Sequence, residues 1–81
     1  MKVCVRLFAV AKQAAGRDLV ELELPDGATI AQLRRELAAR VPQLSGFLGQ
    51  MTFALDARYA ADDALVPAGA EIACIPPVSG G

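Results

Sequence analysis

Val20-Glu21-Leu22-Glu23-Leu24-Pro25-Asp26-Gly27-Ala28-Thr29-Ile30-Ala31-Gln32-Leu33 changes its hydrophobic period midway, and that change decides the fold. Before Pro25 apolar and acidic residues alternate, which puts Val20, Leu22 and Leu24 on one face of a strand and Glu21 and Glu23 on the other. After Thr29 the spacing is helical: Ile30, Leu33, Leu37 and Val41 form one stripe, while Gln32, Arg34, Arg35, Glu36 and Arg40 fall mostly on the opposite side. Pro25-Asp26-Gly27 joins the two with turn chemistry, since proline presets φ and glycine accepts a positive φ. Thr29 is placed to cap the helix and Gln32 to complete a capping box, and Pro42 cannot continue the helix comfortably.

Working outward from this unit, Lys2 to Ala9 reads as a strand, with Val3, Val5 and Leu7 inward and Cys4, Arg6 and Phe8 on the other face. Asp18 to Leu24 is the second strand. Beyond the helix, Leu44, Phe47 and Leu48 lie in a Ser/Gly-containing stretch and are expected to tuck under the helix end in a loop or short turn. Thr52 to Leu55, a tight reversal at Asp56-Ala57, and Arg58 to Ala60 make a strand pair. Asp62-Asp63 and Pro67-Ala68-Gly69 read as loop. Glu71 to Ile75 is the last strand, stopped by Pro76-Pro77, neither of which can donate to a ladder. The order strand, strand, helix, strand, strand, strand predicts an α+β fold. One main amphipathic helix covers one face of a mixed sheet whose first and last strands are parallel and central.

Composition narrows the function. The 81 residues suffice for one domain with one modest core. A net charge of -1 supplies no basic excess for phosphates, so nucleic acid is not an expected partner. Histidine, tryptophan and asparagine are absent, which removes Ser-His-Asp and Cys-His catalysis and the commonest metal ligand. Arg6 breaks the apolar run at Met1 to Ala11 below the length of a signal sequence, and no run approaches a membrane span. A cytoplasmic location is therefore expected, with Cys4 and Cys74 as reduced thiols. Two cysteines alone cannot close a zinc site, so no metal site is expected. Cys4 and Cys74 fall on strands expected to be neighbours, and both read as small buried hydrophobes rather than as a redox pair or a sulfur donor. Lys12 and Arg58 read as solvated surface charges. Apolar residues reach 54%, much of it alanine, which leaves open whether an apolar patch is kept for a partner.

The end of the chain is the distinctive part. Residues 1–75 are expected to form the domain and residues 76–81 a projecting tail, Pro76-Pro77-Val78-Ser79-Gly80-Gly81, which begins stiff and ends slender. A last strand running into this sequence resembles the small subunit of molybdopterin synthase, a ubiquitin-like β-grasp sulfur carrier. The resemblance also covers Val5-Arg6-Leu7-Phe8-Ala9, Pro25-Asp26-Gly27-Ala28-Thr29 and the stretch from Phe53 to Gly81. One departure is Asp56, where the family commonly carries asparagine; aspartate still favours a turn.

The resemblance implies that Gly81 is adenylated by an ATP-dependent activating enzyme and converted to a thiocarboxylate, with Gly80 keeping the tip narrow enough for two enzymes' pockets. It implies no cofactor on this chain, ATP being used by the activating partner. It further implies that the tail enters the large catalytic subunit of the synthase, in a heterotetramer of two small and two large subunits, and gives sulfur to a cyclic pyranopterin monophosphate to build the dithiolene. A thiocarboxylate is itself an anionic sulfur nucleophile, so the absence of histidine is no obstacle. Phe8, Tyr59, Ile75, Pro76, Pro77, Val78 and Ser79 are the candidate partner surface. Three other functions stay open: a carrier of the same fold for thiamine, cysteine or tRNA thiolation, a ubiquitin-like modifier joined to lysines, and a plain interaction module with a disordered tail.

Overall fold

In a computed structural model that describes residues 1–77, the period change at Pro25 separates a strand from the main helix. Strands β1 (Lys2–Leu7) and β2 (Leu19–Glu23) pair antiparallel with Val5 opposite Val20. The chain then turns through Gly27, at φ 81°, into helix α2 (Ile30–Arg40). Thr29 caps it as anticipated: its Oγ1 accepts from the Gln32 N–H at 3.3 Å, and Gln32 Oε1 accepts from the Thr29 N–H at 2.9 Å. Two otherwise orphaned donors are satisfied by one motif.

Strands β3 (Thr52–Leu55) and β4 (Arg58–Ala60) form the hairpin around Asp56-Ala57, and β5 (Ile72–Ile75) ends the sheet-forming chain. The sheet order is β2-β1-β5-β3-β4, with β1 and β5 parallel and β5 in the middle. This is the α+β, ubiquitin-like β-grasp arrangement expected from the sequence. Helix α2 presses Ile30, Leu33 and Leu37 onto the inward face, where Val5, Leu7, Val20, Phe53, Ile72 and Cys74 meet them in one core. Each large aliphatic or aromatic side chain so buried contributes about 1.5–3 kcal/mol before the entropy of ordering is set against it.

Three details differ from the sequence expectation. The first strand ends at Leu7, and Ala9–Ala15 forms a second helix, α1, closed by Gly16 in the left-handed conformation at φ 74°. Alanine-rich Ala-Val-Ala-Lys-Gln-Ala-Ala has high intrinsic helix propensity but no stripe of large apolar residues, so its periodicity is silent. Only Ala11 of this helix is fully buried. Second, Leu44 and Leu48 are buried in two 3-10 turns, Pro42–Leu44 and Leu48–Gln50, whereas Phe47 between them is exposed. Phe47 belongs to neither turn; it stands just before the second one, whose first residue, Leu48, takes the inward place.

The third is Arg34, expected on the solvent side of α2. Its guanidinium folds over the domain edge instead. Nη1 donates to the backbone oxygens of Leu48 and of Met51, the latter at 2.8 Å; Nη2 pairs with Asp62 at 2.7 Å; and the group sits 5.0 Å from the centroid of the Phe53 ring. One side chain thereby ties α2 to the segment before β3 and to the loop after β4.

Candidate site at the root of the tail

Strand β5 carries the tail. Because it is the central strand, hydrogen-bonded to β1 on one side and β3 on the other, its end is held on both flanks. The parallel register sets Leu7 beside Cys74, so the residues that follow, Phe8 and Ile75, come to the same end of the sheet. Phe8, Ala9, Ile75, Pro76 and Pro77 line an open hollow of about 360 Å³ there. Phe8 is 43% exposed, large for an aromatic ring with a core within reach. Among the described residues, no titratable side chain lines the hollow. It offers apolar surface to be covered and no acid or base.

Of the residues singled out as partner surface, the structure gathers Phe8, Ile75, Pro76 and Pro77 around this hollow. Tyr59 stands elsewhere. It is 76% exposed on β4, on the same outward face, at the end of the row Leu19, Arg6, Ala73, Ala54, Tyr59 that crosses all five strands. Three strand spacings separate β4 from β1, about 14 Å. Val78, Ser79, Gly80 and Gly81 lie outside the described residues. Sequence reasoning passed over Ala9, which also lines the hollow and carries a positive φ of 50°. Nothing in the residue type or its spacing signals either property.

The two thiols are separated by the sheet. Cys4 is exposed on the outward face, with its Sγ 4.0 Å from Glu21 Oε2, and so departs from the expectation of a buried residue. The alternation of β1 puts every second side chain outward, and Cys4 takes one of those places. Cys74 faces the core, fully buried beside Leu7. Burial pushes the Cys74 thiol from its usual 9.0 up to about 11, with the Arg34 guanidinium pulling the other way. At neutral pH it is protonated and a poor nucleophile.

Native protein treated with an alkylating reagent at neutral pH is therefore expected to lose one thiol, Cys4, and denatured protein both; mass spectrometry of peptides reads this directly. A linked effect follows at high pH. The folded state holds the Cys74 proton more tightly than the unfolded chain does, so stability contributed by this group is intact below about pH 9 and is lost as pH rises towards 11. The difference between wild type and Cys74→Ala in urea midpoint should change across that window and be flat below it.

Among the described residues no group of three or more His, Cys, Asp or Glu side chains is placed to hold a metal ion, and no helix is long and apolar enough to cross a membrane.

Residues 5–81 match the ThiS family. The chain is 35% identical over 81 residues to the molybdopterin synthase sulfur carrier subunit of Arabidopsis thaliana, covering the whole of this chain and 84% of that one. Among solved structures, SAMP1 from Haloferax volcanii superposes with a TM-score of 0.87 at 27% identity, over all of both chains. A chain from the complex of subunits 1 and 2 of molybdopterin-converting factor of Helicobacter pylori superposes with a TM-score of 0.64 at 25% identity, again over both chains in full. With the match running from the first strand through Gly80-Gly81, this chain belongs to the ThiS family, in which it is similar to molybdopterin synthase sulfur carrier subunits.

Proposed function

We propose that this protein is the sulfur carrier subunit of molybdopterin synthase, and that it works through a thiocarboxylate at Gly81. The observation that carries this is the extension of the family match through Gly80-Gly81, on a strand end ringed by apolar surface and free of catalytic side chains. The name of the Arabidopsis relative and the two-subunit complex of the Helicobacter relative support the same assignment.

A carboxylate is a poor electrophile because its charge is delocalised, so an activating enzyme must first join it to AMP, consuming ATP and releasing pyrophosphate. Sulfide-level sulfur from a donor then attacks the acyl carbon and displaces AMP, leaving the thiocarboxylate; a persulfide donor would give an acyl disulfide, from which a thiol reductant would release it. No group on this chain is needed for either step, and no cofactor is bound by it. The large subunit receives the loaded tail and supplies the pocket in which sulfur passes to the cyclic pyranopterin monophosphate. Two transfers complete a dithiolene, which suits an assembly of two small and two large subunits. Phe8, Ile75, Pro76, Pro77, Val78 and Ser79 make the approach surface, with Tyr59 as an outlying contact.

Geometry limits where a partner can sit. Four residues beyond Pro77 span at most about 14 Å when extended, so an enzyme acting on Gly81 must bring its surface against the hollow around Phe8 and Pro77. An activating enzyme and a large subunit would then compete for one surface, and the carrier would have to leave one to reach the other.

The test is direct. Incubated with its activating enzyme, ATP and a sulfur donor, the protein is expected to gain the mass difference between sulfur and oxygen in the peptide containing Gly81. On mixing with the large subunit and the pyranopterin substrate it should lose that mass as dithiolene appears, and product should stop when loaded carrier runs out. Loading at Cys4 or Cys74, or product from unloaded protein, would defeat the assignment. A second function, attachment to lysines, is favoured by the close superposition on SAMP1, named a small archaeal modifier protein. Lysine-linked conjugates as the main product of the same incubation would select it.

A further inference from the structure

Strand β2 is an edge strand, and its outer side is open. The Leu7 N–H donates to the Asp18 carbonyl oxygen and the Leu24 N–H to the Met1 carbonyl oxygen, both at 2.8 Å, so alternate residues from Asp18 to Leu24 turn their backbone groups towards β1. Leu19, Glu21 and Glu23 turn theirs away, with no backbone partner among the described residues. The strand keeps unbroken register with β1 and contains neither proline nor bulge, so nothing in its backbone prevents pairing. Only charge guards it. Glu21 and Glu23 are exposed on its outward face, Asp18 and Asp26 stand at its two ends, and no cation occurs between them. Two copies laid antiparallel over the whole strand would set Glu21 against its own equivalent, which disfavours a second copy of this chain as the occupant.

The same charges select another occupant. On β1, Lys2 stands opposite Glu23 and Arg6 opposite Leu19, so cations on one strand are followed by anions on the next. Glu21 makes no ion pair among the described residues. A strand added outside β2 would continue the alternation if its outward side chains were basic. On the other side a hollow of about 220 Å³ lies at this edge, lined by Lys2, Glu21, Leu22, Glu23, Glu36 and Arg40. Arg40 puts a cation at the helix side, so side chains turned that way, towards Leu22, are best apolar. We propose that the free edge of β2 is a docking site for an extended segment of a partner protein in which basic and apolar residues alternate. The segment adds antiparallel, its main chain bonded to Leu19, Glu21 and Glu23 and its basic side chains beside the two glutamates. β2 is two strands from β5, about 10 Å, so a protein held here leaves the root of the tail uncovered. The docking does not depend on the sulfur-carrier function; its use does, which is to keep the carrier held while its tail is engaged elsewhere.

The test is a titration of the intact protein, followed by amide NMR, with the capped peptide Lys-Val-Lys-Val-Lys-Val-Lys. Saturation is expected below about 1 mM, with shifts centred on β2 and the Glu36 to Arg40 end of α2. Hydrogen exchange at the amides of Leu19, Glu21 and Glu23 should slow at least about ten-fold at saturation. A lysine opposite Glu21 points its own N–H at β2, so N-methylation of the lysyl amides should abolish binding while N-methylation of the valyl amides should leave it. Glu21→Lys should weaken binding about five-fold or more, and should bind the same peptide with glutamate in place of lysine better than wild type does. Absence of saturation, or unchanged exchange at those three amides, would overturn the proposal. Equal binding of the two methylated peptides would also overturn it, since that outcome means charge attraction without strand pairing, and it decides the matter even if Glu21→Lys fails to fold.

Discussion

A chain lacking Gly81 is expected to fold as the intact protein does and to transfer no sulfur. The residue comes six positions after the end of β5 in sequence and has no side chain to bury, so its removal should change the unfolding free energy by no more than about 0.5 kcal/mol. Its effect on chemistry is of a different order. Each residue of extended chain spans about 3.3–3.6 Å, and reacting atoms must approach to about that same distance. Moving the carboxylate back by one residue therefore takes it out of reach of a group positioned for Gly81. A displacement of this size is expected to cost well over 100-fold in loading and in transfer. Adding one residue after Gly81 should be equally damaging, since the carboxylate would then overshoot. Intact mass after loading, together with a melting curve, measures both halves of the prediction. Normal transfer by either altered chain would mean that the carboxylate of Gly81 is not the site.

Arg34→Ala is expected to have the largest effect on stability among single surface-accessible substitutions. The guanidinium satisfies the carbonyl oxygens of Leu48 and Met51, pairs with Asp62 and stands over Phe53, so truncation strands several partners together. The pair with Asp62 contributes little by itself, because Asp62 is 60% exposed and its charge is well solvated. The part-buried carbonyls dominate, each costing about 1 kcal/mol or more once its donor is gone. A total near 3 kcal/mol is expected, which for a domain of this size lowers the melting temperature by roughly 12–20 °C. Asp62→Ala should cost less than about 1 kcal/mol, and Arg34→Lys should fall between, because one ammonium cannot match the fork. Urea unfolding of the three variants separates these values. A loss below about 1 kcal/mol in Arg34→Ala would show that the segment before β3 holds its shape without the clamp.

How far the sequence could be followed depended on which physical signal each element carries. Val20-Glu21-Leu22-Glu23 and the Ile30, Leu33, Leu37 stripe write their periods in large side chains, and both elements stand where the pattern puts them. The Thr29-Gln32 capping box is equally local, each of two side chains satisfying the other residue's amide within one helical turn, and it too was legible. Helix α1 was not, because alanine serves as core, surface and spacer alike and leaves no period to read. Arg34 was misplaced for a related reason: helical spacing assigns a direction at the Cα, while a long side chain can bend back over apolar neighbours. At the tail root, Phe8 could be named because it leaves the inward face of its strand, and Ile75 because it borders the prolines that begin the tail. Their convergence with Ala9 depends on the parallel pairing of β1 with β5, a contact across most of the chain. The separation of Tyr59 from that cluster is likewise a property of strand order, which no local pattern states.

The central position of β5 has a mechanical consequence. A pull on the tail along the strand direction loads the β1 ladder and the β3 ladder in parallel, so several hydrogen bonds must shear together before the strand can move. Had the tail left from an edge strand such as β2 or β4, the same pull would peel bonds away one at a time. A domain tethered in this way resists extension from its working end, so the tip can be gripped in a deep pocket and drawn out again while the body keeps its shape.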